Sequence, residues 1–450
     1  MKFYRKMMKY RVLYIFLTSV ALISEGWSQS GFDQKIADLI QQVSQDSLSK
    51  HIESLTFAGG HETRVSFTEG NRWSAEYIKA MFDSFSGLTS VEFDTFFVPA
   101  IAPFNSEPLV NIIATLEGCE NPNQIYVIGG HMDATANLDL TLNWNSDWPT
   151  AKAPGADDNA SGIAAILETA RILSDPLNEF APATTLNFIA FGAEEQHPAY
   201  FDNNHMGSKH YVLNAYAGGI DIVGAYIVDM VGHNSTGNNY YNIVSNGKSE
   251  HLGQRLIDAN SAYQIGLTSN SPPFSEPTYS DHFEFWQYRY NAVLLIENAP
   301  PWQNNSPWYI ANPFYHRQSD TYATLNMSQV HKIAQLVLAT VASLPSPVTS
   351  IKSPEKLPLD FTLFQNYPNP FNAGTRINYQ LQSPGKVDLA VYNLQGQKIV
   401  RLVDDIQSSG EHAAVWDGKN KQGRRLPSGV YLYRLRAGGR QVVYKMILSN

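Results

Sequence analysis

The stretch Ile125-Tyr-Val-Ile-Gly-Gly-His-Met-Asp133 passes directly from a short apolar run into a histidine and an aspartate. The same change follows two other apolar runs, where Thr185–Phe191 precedes Glu194-Glu195 and Ile222–Val228 precedes Asp229. Such runs, alternating with helical patterns, predict a mostly parallel sheet buried on both faces. Ligands of these sheets bind at the carboxyl ends of the strands. The sequence therefore predicts an α/β fold, a mostly parallel mixed sheet covered by helices on both faces, with acid and imidazole groups at one edge.

Two further segments supply polar groups of the same kind. They are Gly155-Ala-Asp-Asp-Asn159, which opens a helix, and His316. Taken singly, such features have ordinary explanations: a His-x-Asp is usually structural, a Glu pair is surface charge, and paired aspartates cap a helix. Because nitrogen and oxygen donors occur together in five segments, we interpret the set as a site for zinc-assisted hydrolysis.

The motif GADDNASG at 155–162 and the ordered set HMD, GADD, GAEE, VDM and YHR-x-x-D resemble the M28 metallopeptidases, whose best-known members are dizinc aminopeptidases. The resemblance covers most of residues 31–345. It implies a site for two zinc ions, with cobalt or manganese as alternatives. The metal ligands implied by the matching motifs are His131, Asp157, Glu195, Asp229 and His316.

The resemblance also assigns individual roles. Asp157 is expected to bridge the two metals, and the peptide bond between Asp157 and Asp158 is expected to be cis. Asp133 is expected to orient His131 through its second ring nitrogen. Glu194 is expected to act as the general base.

The function implied by these motifs is a secreted zinc-dependent aminopeptidase. It would hydrolyse N-terminal peptide bonds through a metal-bridging hydroxide, with peptide or protein N-termini as substrates. The alternatives are another enzyme on the same scaffold, either a carboxypeptidase or a glutaminyl cyclase, and a non-catalytic surface-binding protein.

Composition narrows the remaining classes of function. The formal net charge of −9 disfavours nucleic acid as a partner, because a phosphate backbone requires a basic face. Cys119 is the single cysteine, so no disulfide can form within the chain. The acidic neighbours Glu117 and Glu120 would disfavour its thiolate and argue against a nucleophilic role.

The N-terminus has the pattern of a secretory signal peptide, predicted to span residues 1–28. Basic residues precede an apolar run from Val12 to Ile23, and small residues follow it. This run is short for a transmembrane helix, so we expect no stable membrane span. The predicted location is secreted or at the cell surface.

The C-terminal part differs in composition from the rest of the chain. A linker is predicted at 346–360, rich in Pro, Ser and Lys, and a small all-β Ig-like sandwich at 361–450. Its opening FTLFQNYPNPFN and later VYNLQGQ, WDG and SGVYLYRL resemble type IX secretion sorting domains and the flagellar-hook-cap Ig-like module. The resemblance implies the secretion machinery as a partner. A ligand-binding module is the alternative, although we expect Tyr431 and Tyr433 to lie in the core.

Some polar residues near the main motifs keep open interpretations. Ser280-Asp-His282 contains the residue types of a catalytic triad, but adjacent residues cannot form that geometry, so a supporting role is favoured. His197, His205 and His210 either line the cleft or are ordinary polar residues. They belong to or follow the segment 196–206, which is longer than the family pattern.

Overall fold

The computed structural model describes residues 32–200, 204–269, 278–344, 361–381, 385–393, 398–437 and 440–449. The predicted signal peptide and the predicted linker lie outside these residues. Contacts between residues divide the chain into two compact units, residues 1–347 and 348–450. Each unit is described by itself.

The first unit contains one eight-stranded mixed sheet. Its strands are β1 (Ser90–Phe96), β2 (Leu109–Leu116), β3 (Asn121–His131), β4 (Thr184–Phe191), β5 (Asp221–Val228), β6 (Tyr240–Ser245), β7 (Thr268–Ser269) and β8 (Ala292–Ile296). Their order across the sheet is β1-β2-β4-β3-β5-β8-β6-β7. The four central strands β4, β3, β5 and β8 are mutually parallel, whereas β2 and β6 flank them in antiparallel fashion. The carboxyl ends of the central strands therefore share one edge, and the predicted fold class is confirmed.

The helices of the first unit cover both faces of this sheet. Those described are α1 (Gln34–Ile40), α2 (Gln45–Thr56), α3 (Glu69–Asp83), α4 (Trp144–Asp147), α5 (Gly162–Ser174), α6 (Met206–Gly218), α7 (Glu250–Ala262), α8 (His282–Gln287) and α9 (Met327–Ala342). Several begin at a polar cap: the side chains of Ser44, Thr68 and Asn326 accept backbone N–H groups at the starts of α2, α3 and α9. Such caps satisfy donors that have no partner within the helix.

Alternation along β3 divides the core between the two faces. Tyr126 and Ile128 pack with α5, α7 and α9 on one face, while Val127 packs with α6 and α8 on the other. A strand whose successive side chains are all buried must be covered on both sides. The nearly continuous apolar sequence of the central strands follows from this arrangement.

Helix α5 is mostly apolar, and every residue in it except Arg171 is buried. A helix of this composition belongs in the interior. It starts at Gly162, where a Cβ atom would lie 2.5 Å from the carbonyl oxygen of Val228. The glycine therefore lets the start of α5 approach the end of β5, which brings the segment before α5 to the sheet edge.

The second unit consists of two antiparallel sheets. Its strands are β9 (Phe361–Leu363), β10 (Thr375–Leu381), β11 (Gly385–Tyr392), β12 (Lys398–Gln407), β13 (Gly410–Trp416), β14 (Gly429–Ala437) and β15 (Arg440–Leu448). One sheet has the order β13-β10-β9 and the other β12-β11-β14-β15. This confirms a small all-β region. Tyr431 and Tyr433 are buried in its core, as expected.

The sequence pattern did not predict β6 and β7 in the first unit, or β9, β12 and β13 in the second. Strand β12 lies at a sheet edge, and its residues are exposed or only partly buried. An edge strand of this kind lacks the clear apolar alternation by which a strand is recognised in sequence.

Among the described residues, every helix is too short or too polar to span a bilayer.

Candidate metal centre

The five polar segments meet at the carboxyl ends of the central strands. Strand β3 ends at His131, and Asp229 directly follows β5. Glu194-Glu195 lies three residues beyond the end of β4. The turn Ala156–Ser161, which precedes α5, brings its acids to the same edge. The topology therefore collects side chains that are far apart in the sequence.

One group of ligand atoms centres on His131. Its Nε2 lies 3.1 Å from Asp158 Oδ1 and 3.2 Å from Asp229 Oδ1. Ser280 Oγ donates a hydrogen bond of 2.8 Å to the other carboxylate oxygen of Asp229. Ser280 thus takes the supporting role that was favoured over a catalytic triad.

A second group centres on His316. Its Nε2 lies 3.2 Å from Asp158 Oδ2 and 3.3 Å from Glu195 Oε2. Ligand atoms of His131, Asp158 and Glu195 also lie within 4.8 Å of one another. The two groups share Asp158, whose carboxylate places one oxygen in each.

The expectation that Asp157 bridges the groups is wrong: Asp158 occupies that position. The non-proline cis peptide bond follows the same shift of one residue, since it joins Asp158 to Asn159 and not Asp157 to Asp158. Asp157 instead turns into the protein. Its Oδ1 accepts 2.7 Å from the Gly232 N–H, and its Oδ2 accepts 2.7 Å from Asn312 Nδ2.

Asp157 and Asp320 fix the backbone around the shared ligand. The Asp320 carboxylate accepts the N–H groups of Asp157 and Asp158 at 3.0–3.2 Å. Burial raises the pKa of Asp157 to about 7, and the charges on Asp158 and Asp229 add to that rise. Three buried acids that each need a polar partner are therefore packed around this turn: Asp157, Asp158 and Asp320.

In each of the two histidines, the hydrogen bond made by Nδ1 determines whether Nε2 can bind a cation. His131 Nδ1 lies 3.2 Å from the backbone oxygen of Asp133, and His316 Nδ1 lies 3.0 Å from Asn137 Oδ1. An oxygen acceptor requires the proton on Nδ1, so in the neutral ring Nε2 presents a lone pair. Both lone pairs then face carboxylate oxygens, a contact that only a proton or a metal ion between them can stabilise.

The raised pKa values of His131 and Glu195 reflect an excess of negative charge at the site. Burial disfavours the charged form of His131, yet the charge of Asp229 in particular holds the pKa of His131 well above its usual value. Burial and the charge of Asp158 raise the pKa of Glu195 well above its usual range. Glu195 Oε1 is also buried and has no hydrogen-bond partner among the described residues. The donor set, imidazole nitrogen with carboxylate oxygen, fits zinc.

The Asp133 carboxylate contacts the glutamate pair, whereas it was expected to orient His131. Its carboxylate accepts the backbone N–H groups of Glu194 and Glu195 at 3.0 and 3.1 Å. The carboxylate lies 3.7 Å from His131 Nδ1, whereas the Asp133 backbone oxygen is closer. Asp133 therefore orients the glutamate pair with its side chain and His131 with its main chain.

Arg64 was not identified from the sequence. Its guanidinium is buried and donates to carbonyl oxygens of Met132, at 2.8 Å, of Gly155, at 2.9 Å, and of Pro154. These carbonyls belong to the two segments that carry His131 and Asp158. Burial lowers the pKa of Arg64 to about 10, which still leaves it charged at neutral pH. A planar fork of donors suits contacts with several acceptors at fixed angles.

Asn159 was also missed as a functional residue, although its motif was recognised. Its Nδ2 donates to the Val228 carbonyl at 2.9 Å, and its Oδ1 accepts the N–H groups of Gly162 and Met230. The amide thereby ties the start of α5 to the end of β5. An amide next to two acids in a helix-opening motif was the available signal.

Asp158→Asn and Asp157→Asn provide a direct test of which acid binds metal. We expect Asp158→Asn to lose most bound zinc, because both groups of ligand atoms lose a charged oxygen. Asp157→Asn should retain zinc but lower the melting temperature, because its carboxylate accepts two buried donors. Metal content by plasma mass spectrometry and thermal unfolding measure the two effects. The reverse pattern of zinc loss would contradict the assignment.

Arg64→Lys keeps the charge but loses the fork that joins two ligand segments. We expect zinc affinity to fall about 10- to 100-fold, the size typical of residues that orient metal ligands. The melting temperature of the zinc-free protein should also fall. Competition with a chromogenic chelator and thermal unfolding measure these quantities. Arg72→Lys is the matched control, because Arg72 pairs with Glu69 on the surface. Unchanged affinity and melting temperature in Arg64→Lys would show that the fork is dispensable.

Two family models match separate parts of the chain. The model of peptidase family M28 matches residues 111–341, slightly more than half of the chain. The model of the FlgD Ig-like domain matches residues 367–440. The first match contains all of the polar segments that meet at the sheet edge.

The chain is also similar to individual proteins. A probable zinc metalloprotease of Phaeosphaeria nodorum is 28% identical over 281 residues, which cover 56% of this chain and 52% of the relative. The chain thus spans about half the length of this fungal relative. Two solved structures share the fold. The LapA aminopeptidase of Legionella pneumophila has a TM-score of 0.53, 20% identity and coverage of 70% and 75% of the two chains. A glutaminyl cyclase of Fimbriiglobus ruber has a TM-score of 0.52, 17% identity and coverage of 67% and 96%.

The geometry and the family match concern the same residues, since the ligand groups around His131 and His316 lie within the matched range. This chain belongs to peptidase family M28.

Proposed function

We propose that this chain is a zinc-dependent aminopeptidase that removes residues from the N-termini of peptides. The observation that carries the proposal is the pair of ligand groups that share Asp158. One group needs His131 and Asp229, and the other needs Glu195 and His316. A protein that used one ion would need only one of these groups.

Two zinc ions fit the arrangement, one for each group of ligand atoms. When bound, they would polarise the scissile carbonyl and lower the pKa of the attacking water. Asp158 would contribute to both positions, which fits a carboxylate whose two oxygens point to different histidines. Burial would raise the pKa of Asp158, but the hydrogen bonds from His131 and His316 hold it below its usual range, so the group is ionised and ready to bind cations.

Glu194 is the residue that would move the proton. Its neighbour Glu195 points to His316, while the Glu194 side chain points elsewhere, with Oε1 3.2 Å from His205 Nε2. The Asp133 carboxylate holds the backbone of both glutamates. Glu194 would accept a proton from the attacking water and deliver it to the leaving amine, as a general base and then a general acid.

The excess of buried acid also supports a substrate with a free α-amino group. Glu194 is 6% exposed, and Asp281 is completely buried nearby, where burial and the charge of Glu194 raise its pKa to about 7. An ammonium group offers three donors and a positive charge to such a site. This favours an aminopeptidase over a carboxypeptidase, whose substrate presents a carboxylate at the cleaved end.

Glutaminyl cyclase is the second candidate, because a cyclase shares the fold. The two reactions release different products: an aminopeptidase releases a free amino acid, whereas a cyclase releases ammonia from an N-terminal glutamine. A glutaminyl peptide therefore distinguishes them in one assay. The complete ligand group around His131 favours the peptidase.

We also propose that the chain is exported. The basic and apolar pattern of residues 1–28 supports a signal peptide, and the motifs after Phe361 support recognition of the second unit by a secretion machinery. Deletion of residues 361–450 should leave the protein in the periplasm of a host with type IX secretion. Cell fractionation with antibody detection measures this. Export that persists without these residues would contradict a sorting role.

The first test is hydrolysis of leucine-p-nitroanilide by the full chain, before and after chelation. We expect activity to disappear with the chelator and to return with zinc. Activity that resists complete removal of metal would contradict the proposal, as would cyclisation of a glutaminyl peptide without release of the terminal residue.

Glu194→Gln tests the general base separately. The amide is nearly the same shape but cannot accept the proton, so we expect kcat to fall by about 10²–10⁴-fold. Zinc content should not change, because Glu194 belongs to neither ligand group. The matched control is Glu117→Gln, at an exposed position outside the site. Full activity in Glu194→Gln would remove Glu194 from the mechanism.

A further inference from the structure

His205 lies in the long segment that follows the glutamate pair, directly before α6. Its backbone is fixed at both ends: its N–H donates 2.9 Å to the Glu194 carbonyl, and its own carbonyl accepts 2.9 Å from the Lys209 N–H. Its φ is 59°, in the left-handed region. The position of the His205 side chain is therefore set by the backbone that carries Glu194.

The imidazole ring of His205 stands between two carboxylates. Its Nε2 lies 3.2 Å from Glu194 Oε1, and its Nδ1 lies 3.6 Å from Glu284 Oε1. The side chain is only 3% exposed, and the side chains of its two partners are no more than 10% exposed. The amide of Asn204 is also 3.0 Å from Nε2, and a flipped amide presents its oxygen to the ring.

These surroundings keep His205 positively charged. Burial disfavours the imidazolium, but the contacts with the carboxylates of Glu194 and Glu284, together with the charge of Asp281, raise the pKa of His205 to about 10. A positive imidazolium 3.2 Å from a carboxylate oxygen in a buried site attracts that oxygen strongly. One oxygen of Glu194 is therefore engaged, which leaves Oε2 as the oxygen available to the reacting centre.

We propose that His205 is a positioning residue that fixes the carboxylate of Glu194 for proton transfer. This rests on the proposed role of Glu194 as general base. Glu284 on α8 fixes the ring from its other side, so the order runs from Glu284 through His205 to Glu194. A base that can rotate out of reach loses rate even when its chemistry is intact, because small displacements at a reacting group have large costs.

A purely structural role is the competing explanation, in which His205 only neutralises buried acids and starts α6. The two explanations differ in what they do to kinetics. A positioning role lowers kcat with KM and zinc content unchanged, and an amide that still donates to Glu194 restores part of the rate. A structural role lowers the melting temperature without a specific loss of kcat.

The test uses the full chain with zinc and leucine-p-nitroanilide. His205→Asn keeps a residue that tolerates positive φ but is too short to reach Glu194. We expect kcat to fall about 10- to 100-fold with KM within about twofold of wild type. His205→Gln, whose amide can reach Glu194, should recover part of this loss. His210→Asn is the matched control: His210 lies in α6 and pairs with Asp94 at 3.0 Å, and the kcat of this variant should not change.

Unchanged kcat in folded, zinc-loaded His205→Asn would overturn the proposal. If that variant does not fold, Glu284→Gln replaces it, with a smaller fall in kcat expected; a lower melting temperature with unchanged kcat would overturn the proposal equally. Wild-type protein inactive on every N-terminal substrate would contradict the proposed aminopeptidase function instead. In that case the contact between His205 and Glu194 is tested by measuring the pKa of the ¹⁵N-labelled imidazole of His205. This pKa should fall in Glu194→Gln, and an unchanged pKa would refute the contact.

Discussion

The crowding of buried carboxylates at one sheet edge is the constraint on which the rest of this structure depends. Charged groups away from water are unstable unless opposite charges or hydrogen-bond donors surround them. Parallel strands bring Asp229 and Glu195 to the same place, and the start of α5 adds Asp158. The fold must therefore supply cations and donors to the very place where its topology gathers acids.

The buried acids of the site are of two kinds, which differ in the groups that compensate their charge. Asp133, Asp157 and Asp320 accept backbone N–H groups and so hold the segments that carry the ligands. Asp158 and Asp229 instead face imidazole nitrogens, and Asp229 also accepts a hydrogen bond from the Ser280 hydroxyl. The outer acids are compensated by the main chain, whereas the inner acids are left for cations. This division explains why a site rich in aspartate can be both rigid and able to bind metal.

Two positively charged side chains, Arg64 and His205, lie at the site. Arg64 donates to carbonyl oxygens of two ligand segments and so joins them, while its charge interacts with the acids Asp320, Asp158, Asp133 and Glu195. His205 approaches from the side of α6 and pairs with the proposed base. These cations flank the metal centre without occupying it. A fold alone does not determine the reaction, which depends on the side chains at the site.

The sequence by itself determined the fold class, the strands that precede the site and most of the side chains that meet there. The sequence correctly predicted that four side chains lie close together, those of His131, Glu195, Asp229 and His316. Apolar strand patterns end just before His131 and Asp229, and the carboxyl ends of parallel strands lie at one edge of the sheet. Edge strands such as β12 were missed because partial exposure removes the apolar alternation.

Only the tertiary structure decided between Asp157 and Asp158. The two are adjacent and identical, and their directions depend on backbone angles that the motif does not reveal, such as φ −108° and ψ 87° at Asp158. Arg64 was invisible for a related reason: its partners lie about 70 to 90 positions along the chain. Sequence patterns report local periodicity, whereas the direction of one side chain, and the contacts of one buried cation, are set by backbone geometry and packing between distant segments.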